Sequence, residues 1–150
     1  MPQSLSKVYT HLIFSTKHRK NLIDEAIESD LFDYLGGVCK GLECNPVQVG
    51  GYRNHVHILC LLSRKICQMN LLEEVKKRSS KWIKTKDIMY TDFYWQDGYG
   101  IFSVSPSDVE RVVNYIRNQK EHHKKMSFKQ EFRKLLKAYK VDYDERYVWD

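Results

Sequence analysis

Apolar and β-branched residues crowd into SKVYTHLIFST at residues 6–16, which a basic turn, KHRKN, then interrupts. The composition is that of a strand and its punctuation. The next periodicity is helical. Asp24 stands where an N-cap belongs, and Ile27, Leu31, Tyr34, Leu35 and Val38 recur at helical spacing, with Gly36 and Gly37 weakening the last turns. NPVQVGGYRNHVHILCLL returns to strand chemistry and predicts two strands joined by a turn over Gly50 to Asn54. From Cys67 to about Lys86 the stripe Leu71, Leu72, Val75, Trp82 and Ile83 predicts a second helix, with Lys76, Lys77, Arg78 and Lys81 around it. WQDGYGIFSVS predicts a fourth strand. After Pro106, SDVERVVNYIRNQKEHHKK predicts a helix opened by a capping box of Ser107 and Glu110. SFKQEFRKLLKAY repeats the device with Ser127 and Gln130.

The order β-α-β-β-α-β with helices appended is that of an α+β, ferredoxin-like or RRM-like split βαβ: an antiparallel sheet with helices on one face and the other face free for a ligand. At 150 residues the chain is long enough for one core, so a single domain over residues 1–150 is expected. The longest apolar run, HVHILCLL, is too short to cross a bilayer and the N-terminus has no secretion-signal core, so no membrane association and a cytoplasmic location are expected. The four cysteines include no CxxC pair and are expected to be reduced and mostly buried.

The charge pattern adds a partner class. Residues 64–86 and 117–140 carry 17 of the 25 lysines and arginines but only 4 of the 19 acidic residues. Solvated helix faces account for such segments in the ordinary case, and nucleic acid is the functional alternative.

Candidate chemistry centres on NHVHIL. Residues i and i+2 of a strand share a face about 6–7 Å apart at the backbone, so His55 and His57 can converge on one metal ion while Val56 points away. Two imidazoles are an incomplete site. In NYIRNQ, Tyr115 and Gln119 are four apart and share one helical face, where Gln119 can offer a carbonyl oxygen; core packing for Tyr115 and solvation for Gln119 are the competing readings. A tyrosine beside a cation held by two histidines and an amide can cut a phosphodiester: the cation draws charge from the phosphate and favours a phenolate that is otherwise scarce, with an ordinary pKa of about 10. His122, seven residues after Tyr115, and its neighbour His123 stay outside this assignment.

These residues carry a wider resemblance. THLIFSTKHR, NHVHIL, KKRSSKWIK, WQDGYGIFSVSPSDVERVVNYIRNQKEHH and DERYVW together resemble the single-tyrosine HUH transposases of bacterial insertion sequences, including those associated with repetitive extragenic palindromes (REPs), with His55, Val56 and His57 as H-U-H. The resemblance implies the HUH endonuclease fold, Tyr115 as nucleophile, and His55, His57 and Gln119 as ligands of Mg²⁺ or Mn²⁺. It implies cleavage and rejoining of single-stranded DNA beside hairpins through a 5'-phosphotyrosine intermediate, by a homodimer whose sites can be completed in trans. Within that frame Lys17, Arg19, Lys20, Arg53, Lys77, Arg78 and Lys81 are candidate DNA contacts. Tyr52 and Tyr99 can stack on bases, whereas Trp95 and Phe102 are assigned to packing. A non-mobile hairpin-binding protein without nuclease activity is the alternative function.

Overall fold

The computed structural model describes residues 2–150. Four strands, β1 (Tyr9–Ser15), β2 (Pro46–Tyr52), β3 (His55–Leu61) and β4 (Gly100–Val104), form one sheet in the order β2-β3-β1-β4, with every neighbouring pair antiparallel. Helices α1 (Glu25–Gly41) and α2 (Gln68–Lys84) provide the split βαβ connections. This is the α+β arrangement that the apolar pattern predicts. Asp24 caps α1 as expected, its carboxylate accepting from the Ile27 amide.

The strand residues sort into two cores by alternation. Leu12, Phe14, Val56, Ile58 and Cys60 face α1 and α2, where Leu31, Leu35, Leu71, Leu72 and Val75 complete a continuous cluster. Full burial of each such side chain contributes about 1.5–3 kcal/mol, so this layer holds the fold together. Trp95 and Phe102 are buried, as expected, and the Trp95 indole donates to Ser79 Oγ in α2.

The second face is not free. Three further helices, α3 (Val109–Arg117), α4 (Gln119–His122) and α5 (Phe128–Ala138), cover it. Ile13 and Phe102 pack against Phe128, Phe132 and Leu136, while Leu59 and Val104 pack against Val112 and Ile116. The reason lies in β1 and β3, which are apolar on both faces at Ile13 and Leu59 and so require cover on each side.

Four local expectations are corrected. The β2–β3 turn is only Arg53-Asn54, with Tyr52 opposite His55, and Gly50 and Gly51 lie inside β2. Gly50 is there because α3 presses on the strand: a Cβ would lie 2.8 Å from the Ile116 carbonyl oxygen. Residues 95–99 are not strand, apart from a bridge of Trp95 to Thr16. Ser107 does not cap, since it lies within the short 3-10 turn that Pro106 starts, and caps need an extended backbone. The helix after it is broken at Asn118 (φ −95°, ψ 17°), which separates α3 from α4. The capping box of Ser127 and Gln130 on α5 is formed.

Candidate metal and tyrosine site

His55 and His57 lie on the α3–α5 side of β3 and are both fully buried. Gln119, the first residue of α4, is 1 % exposed and reaches His55, its Oε1 lying 2.8 Å from His55 Nε2. Tyr115, four residues earlier on α3, sets its ring edge-on to His57, with centroids 5.6 Å apart. All four predicted site residues therefore meet in one place.

What joins them is a residue that motif spacing does not reveal. Glu131 of α5 is 1 % exposed, and its Oε1 lies 3.2 Å from His57 Nε2, 3.5 Å from His55 Nε2 and 3.1 Å from His123 Nε2. Its Oε2 accepts from Gln119 Nε2 at 3.0 Å and from the Tyr115 hydroxyl, and lies 3.4 Å from His122 Nε2. Burial pushes this carboxyl up, but the His57 charge, hydrogen bonds from His123 and His57, and His55 outweigh it and hold the group well below the usual range. Glu131 is an anion in the middle of a histidine cluster. A signal for it exists in the sequence: α5 places Phe128, Glu131, Phe132, Leu135 and Leu136 on one stripe, and the acid is the odd member.

Two more residues fix the rings from behind. Asn54 Nδ2 donates to the Arg19 carbonyl at 3.3 Å, which turns Oδ1 toward His55 Nδ1 at 2.9 Å. An amide oxygen only accepts, so the His55 proton sits on Nδ1 and Nε2 carries a lone pair. His11 of β1 approaches His57 Nδ1 with its Nε2 at 2.8 Å. When His57 Nε2 serves as a ligand, Nδ1 donates to His11, the usual outer support of a metal-binding imidazole.

The donor set fits a cation on its own hydrogen-bond logic. His55 Nε2 and Gln119 Oε1, both acceptors, face each other at 2.8 Å. Turning the Gln119 amide over would only move the conflict, placing Oε1 against Glu131 Oε2. A proton cannot settle it, because burial, then repulsion from His57, pushes the His55 imidazole down to about 3. One positive charge is wanted between these lone pairs. His55, His57 and Glu131 form a buried group that can hold a divalent ion, with ligand atoms within 4.8 Å of one another.

Tyr115 is kept a phenol at rest: burial first, then the Glu131 charge and hydrogen bond, push it well above its ordinary value. A cavity of about 350 Å³ opens against its ring, lined by His11, Arg111, Val112, Leu135 and Tyr139 among others.

The candidate DNA contacts divide by layer. Lys17, Arg19 and Lys20 follow β1, and Arg53 lies in the turn two residues before His55, so these lie at the histidine end of the sheet. Arg19 Nη1 already donates to the Trp149 carbonyl at 2.9 Å, and Arg53 lies 4.0 Å from Glu25. Lys77, Arg78 and Lys81 sit on α2, beyond the opposite face of the sheet, with Lys77 and Arg78 paired to Glu74. Lys76 is committed to structure, its Nζ donating to the carbonyls of Gln96, Asp97 and Gly98. Tyr52 stacks on His123. Cys39, Cys44 and Cys60 are buried free thiols, and Cys67 is exposed. Among the described residues no helix is long and apolar enough to cross a membrane.

The sequence pattern of the IS200-like transposases matches residues 4–119. The chain belongs to that family. Among solved structures, this IS200-like chain is similar to a protein of Deinococcus radiodurans R1 assigned as a transposase (20% identity, TM-score 0.62, covering 79% of this chain and 98% of that one). It is also similar to a REP-associated tyrosine transposase bound to a REP hairpin (14% identity, TM-score 0.58, 82% and 73%). No curated protein sequence matches it. The family match takes in the strands, the histidine pair, Tyr115 and Gln119 but ends before His122, His123 and Glu131.

Proposed function

We propose that this transposase cuts and rejoins single-stranded DNA through Tyr115, with a divalent cation, Mg²⁺ or Mn²⁺, at His55, His57 and Gln119. The observation that carries the reading is the shared carboxylate: Glu131 accepts from the Tyr115 hydroxyl on one oxygen and meets both histidines on the other, so the nucleophile and the ligand set belong to one cluster.

In the reaction the Tyr115 oxygen attacks phosphorus, the bond from phosphorus to the 3'-oxygen breaks, and DNA remains attached as a 5'-phosphotyrosine while the other strand end leaves as a 3'-hydroxyl. The cation, when bound, neutralises charge on the scissile phosphate and the departing oxygen. The chain's own groups orient the site. Asn54 and His11 hold the two imidazoles in the ligand tautomer, and Gln119 is fixed by its bond to Glu131. Glu131 supplies the anionic oxygen that Mg²⁺ and Mn²⁺ prefer over an imidazole-only set.

The substrate is single-stranded DNA next to a hairpin, a reading supported by the relative bound to a REP hairpin. Lys17, Lys20 and Arg53 lie closest in the chain to the histidine end of the sheet and are the preferred phosphate contacts, ahead of Lys77, Arg78 and Lys81 on α2. Moving a DNA segment takes cleavage at two ends, so the working form is a homodimer. Tyr115 packs against His57 of its own chain, an arrangement that supports a site held in cis.

The test uses labelled single-stranded oligonucleotides carrying the hairpins of the gene's own flanks, incubated with Mn²⁺ and resolved under denaturing conditions. A protein–DNA adduct is expected from the native protein. Tyr115→Phe should form none while still binding the hairpin; an adduct from that variant would refute Tyr115 as nucleophile.

A further inference from the structure

Two histidines remain unused by this scheme, and both point at its carboxylate. α4 ends at His122, and His123 caps it (φ −80°, ψ 1°). The turn brings consecutive rings to one spot that a continuing helix would splay apart, with centroids 5.1 Å apart and planes 85° apart. His123 Nε2 lies 3.1 Å from Glu131 Oε1, and His122 Nε2 lies 3.4 Å from Glu131 Oε2. That last nitrogen is buried without a hydrogen-bond partner. An orphaned buried imidazole nitrogen aimed at a carboxylate calls for a ligand.

We propose that His122, His123 and Glu131 bind a second divalent cation, with Glu131 bridging it to the one at His55 and His57. The ligand atoms of this second group lie within 4.8 Å of one another, as do those of the first. The two ligand groups meet at this one carboxylate, Oε1 lying against His55, His57 and His123 and Oε2 against His122, so Glu131 is the residue that can serve both. The two imidazoles suit Zn²⁺ and the carboxylate admits Mn²⁺, so these are the two ions to try. Two dications against one carboxylate leave a net charge of about +3, which a DNA phosphate entering beside Tyr115 would offset. All three residues fall outside the stretch matched to the family. The inference rests on the first cation site only for the bridging partner.

Metal content separates the two. Equilibrium dialysis against Zn²⁺ and against Mn²⁺ should load two equivalents on the native protein. His122→Ala and His123→Ala should each reduce this to one, as should His57→Ala from the other side. With Mn²⁺ the native protein should give the exchange-coupled EPR spectrum of ions about 4 Å apart, and His122→Ala the spectrum of an isolated ion. Unfolding curves of each variant confirm that it folds, and His122→Asn replaces any that does not. One equivalent in the native protein, lost in His57→Ala and retained in both His122→Ala and His123→Ala, would overturn the second site and leave the proposed function standing. One equivalent in the native protein that survives His57→Ala and is lost in His122→Ala would overturn the cation at His55 and His57 and the bridge to it.

Discussion

Acidification between pH 6.5 and 5 should cost the metal-free protein a large part of its stability, and the amount follows from two buried rings. His11 and His55 are each pushed down to about 3, in both cases by burial first and then by the neighbouring His57. Their ordinary value is 6.5. Below that value the unfolded chain takes up a proton at each ring and the folded chain does not, so stability present above pH 6.5 is lost as the pH falls toward 3. Each ring approaches about 1.4 kcal/mol per pH unit once the unfolded imidazole is fully protonated, hence about 1.6 kcal/mol each over this interval and about 3 kcal/mol together. A small domain has about 5–15 kcal/mol in all. His122, lowered by burial, adds in the same direction. Glu131 adds nothing here, because its carboxyl is lowered too and its contribution is lost only as the pH falls through its folded value, below the window. Urea unfolding followed by circular dichroism in EDTA, at pH 6.5 and pH 5, measures the difference. His11→Gln keeps a hydrogen-bonding partner for His57 and should lower the loss to about 1.6 kcal/mol. A native protein whose stability changes by less than about 1 kcal/mol, or a His11→Gln protein that keeps the full loss, would refute the burial argument.

Asn54→Ala releases the His55 tautomer without touching a ligand, and should weaken Mn²⁺ binding by about 10–100-fold in a calorimetric titration. Gly50→Ala places a Cβ 2.8 Å from the Ile116 carbonyl oxygen and 2.9 Å from its Cγ2, so α3 must lift off β2. A loss of about 1–3 kcal/mol in urea unfolding is expected, together with reduced adduct formation because α3 carries Tyr115. Gly37→Ala is the control: nothing lies within 4 Å of its Cβ, and helix propensity alone should raise stability by up to about 1 kcal/mol.

The strands and the first cap were legible because their signals are local. THLIFS and HVHILC carry the β-branched and aromatic composition of strands, Asp24 and the Ser127–Gln130 pair are short-range caps, and Tyr115 and Gln119 need only helical spacing to share a face. The covered face was not, since His55 and His57 on one side of β3 read as a polar surface until α3 and α5 are folded over them. Glu131 lies 74 residues from His57 along the chain, and nothing in either segment announces the other. The break at Asn118 was hidden for the opposite reason: the apolar period runs smoothly toward Gln119, and the helix is interrupted where polar side chains turn inward to the carboxylate.

The same burial argues against a purely structural cluster. A core made only for stability would place Leu or Phe at these positions, because an enclosed carboxylate ringed by imidazoles is stabilising only when every lone pair and proton is matched. Here the matching fails at two points that chemistry can name: His55 Nε2 meets Gln119 Oε1 as one acceptor meets another, and His122 Nε2, though 3.4 Å from Glu131 Oε2, makes no hydrogen bond. Both defects lie within reach of the single anion Glu131, and both are cured by adding positive charge and not by moving protons, which burial disfavours at His55 and His122. The Tyr115 hydroxyl bonds to that same anion, so whatever binds the cluster competes for the oxygen that holds the nucleophile protonated. The candidate nucleophile and the candidate cation ligands thus share one carboxylate, carried on α5 beyond the stretch matched to the family.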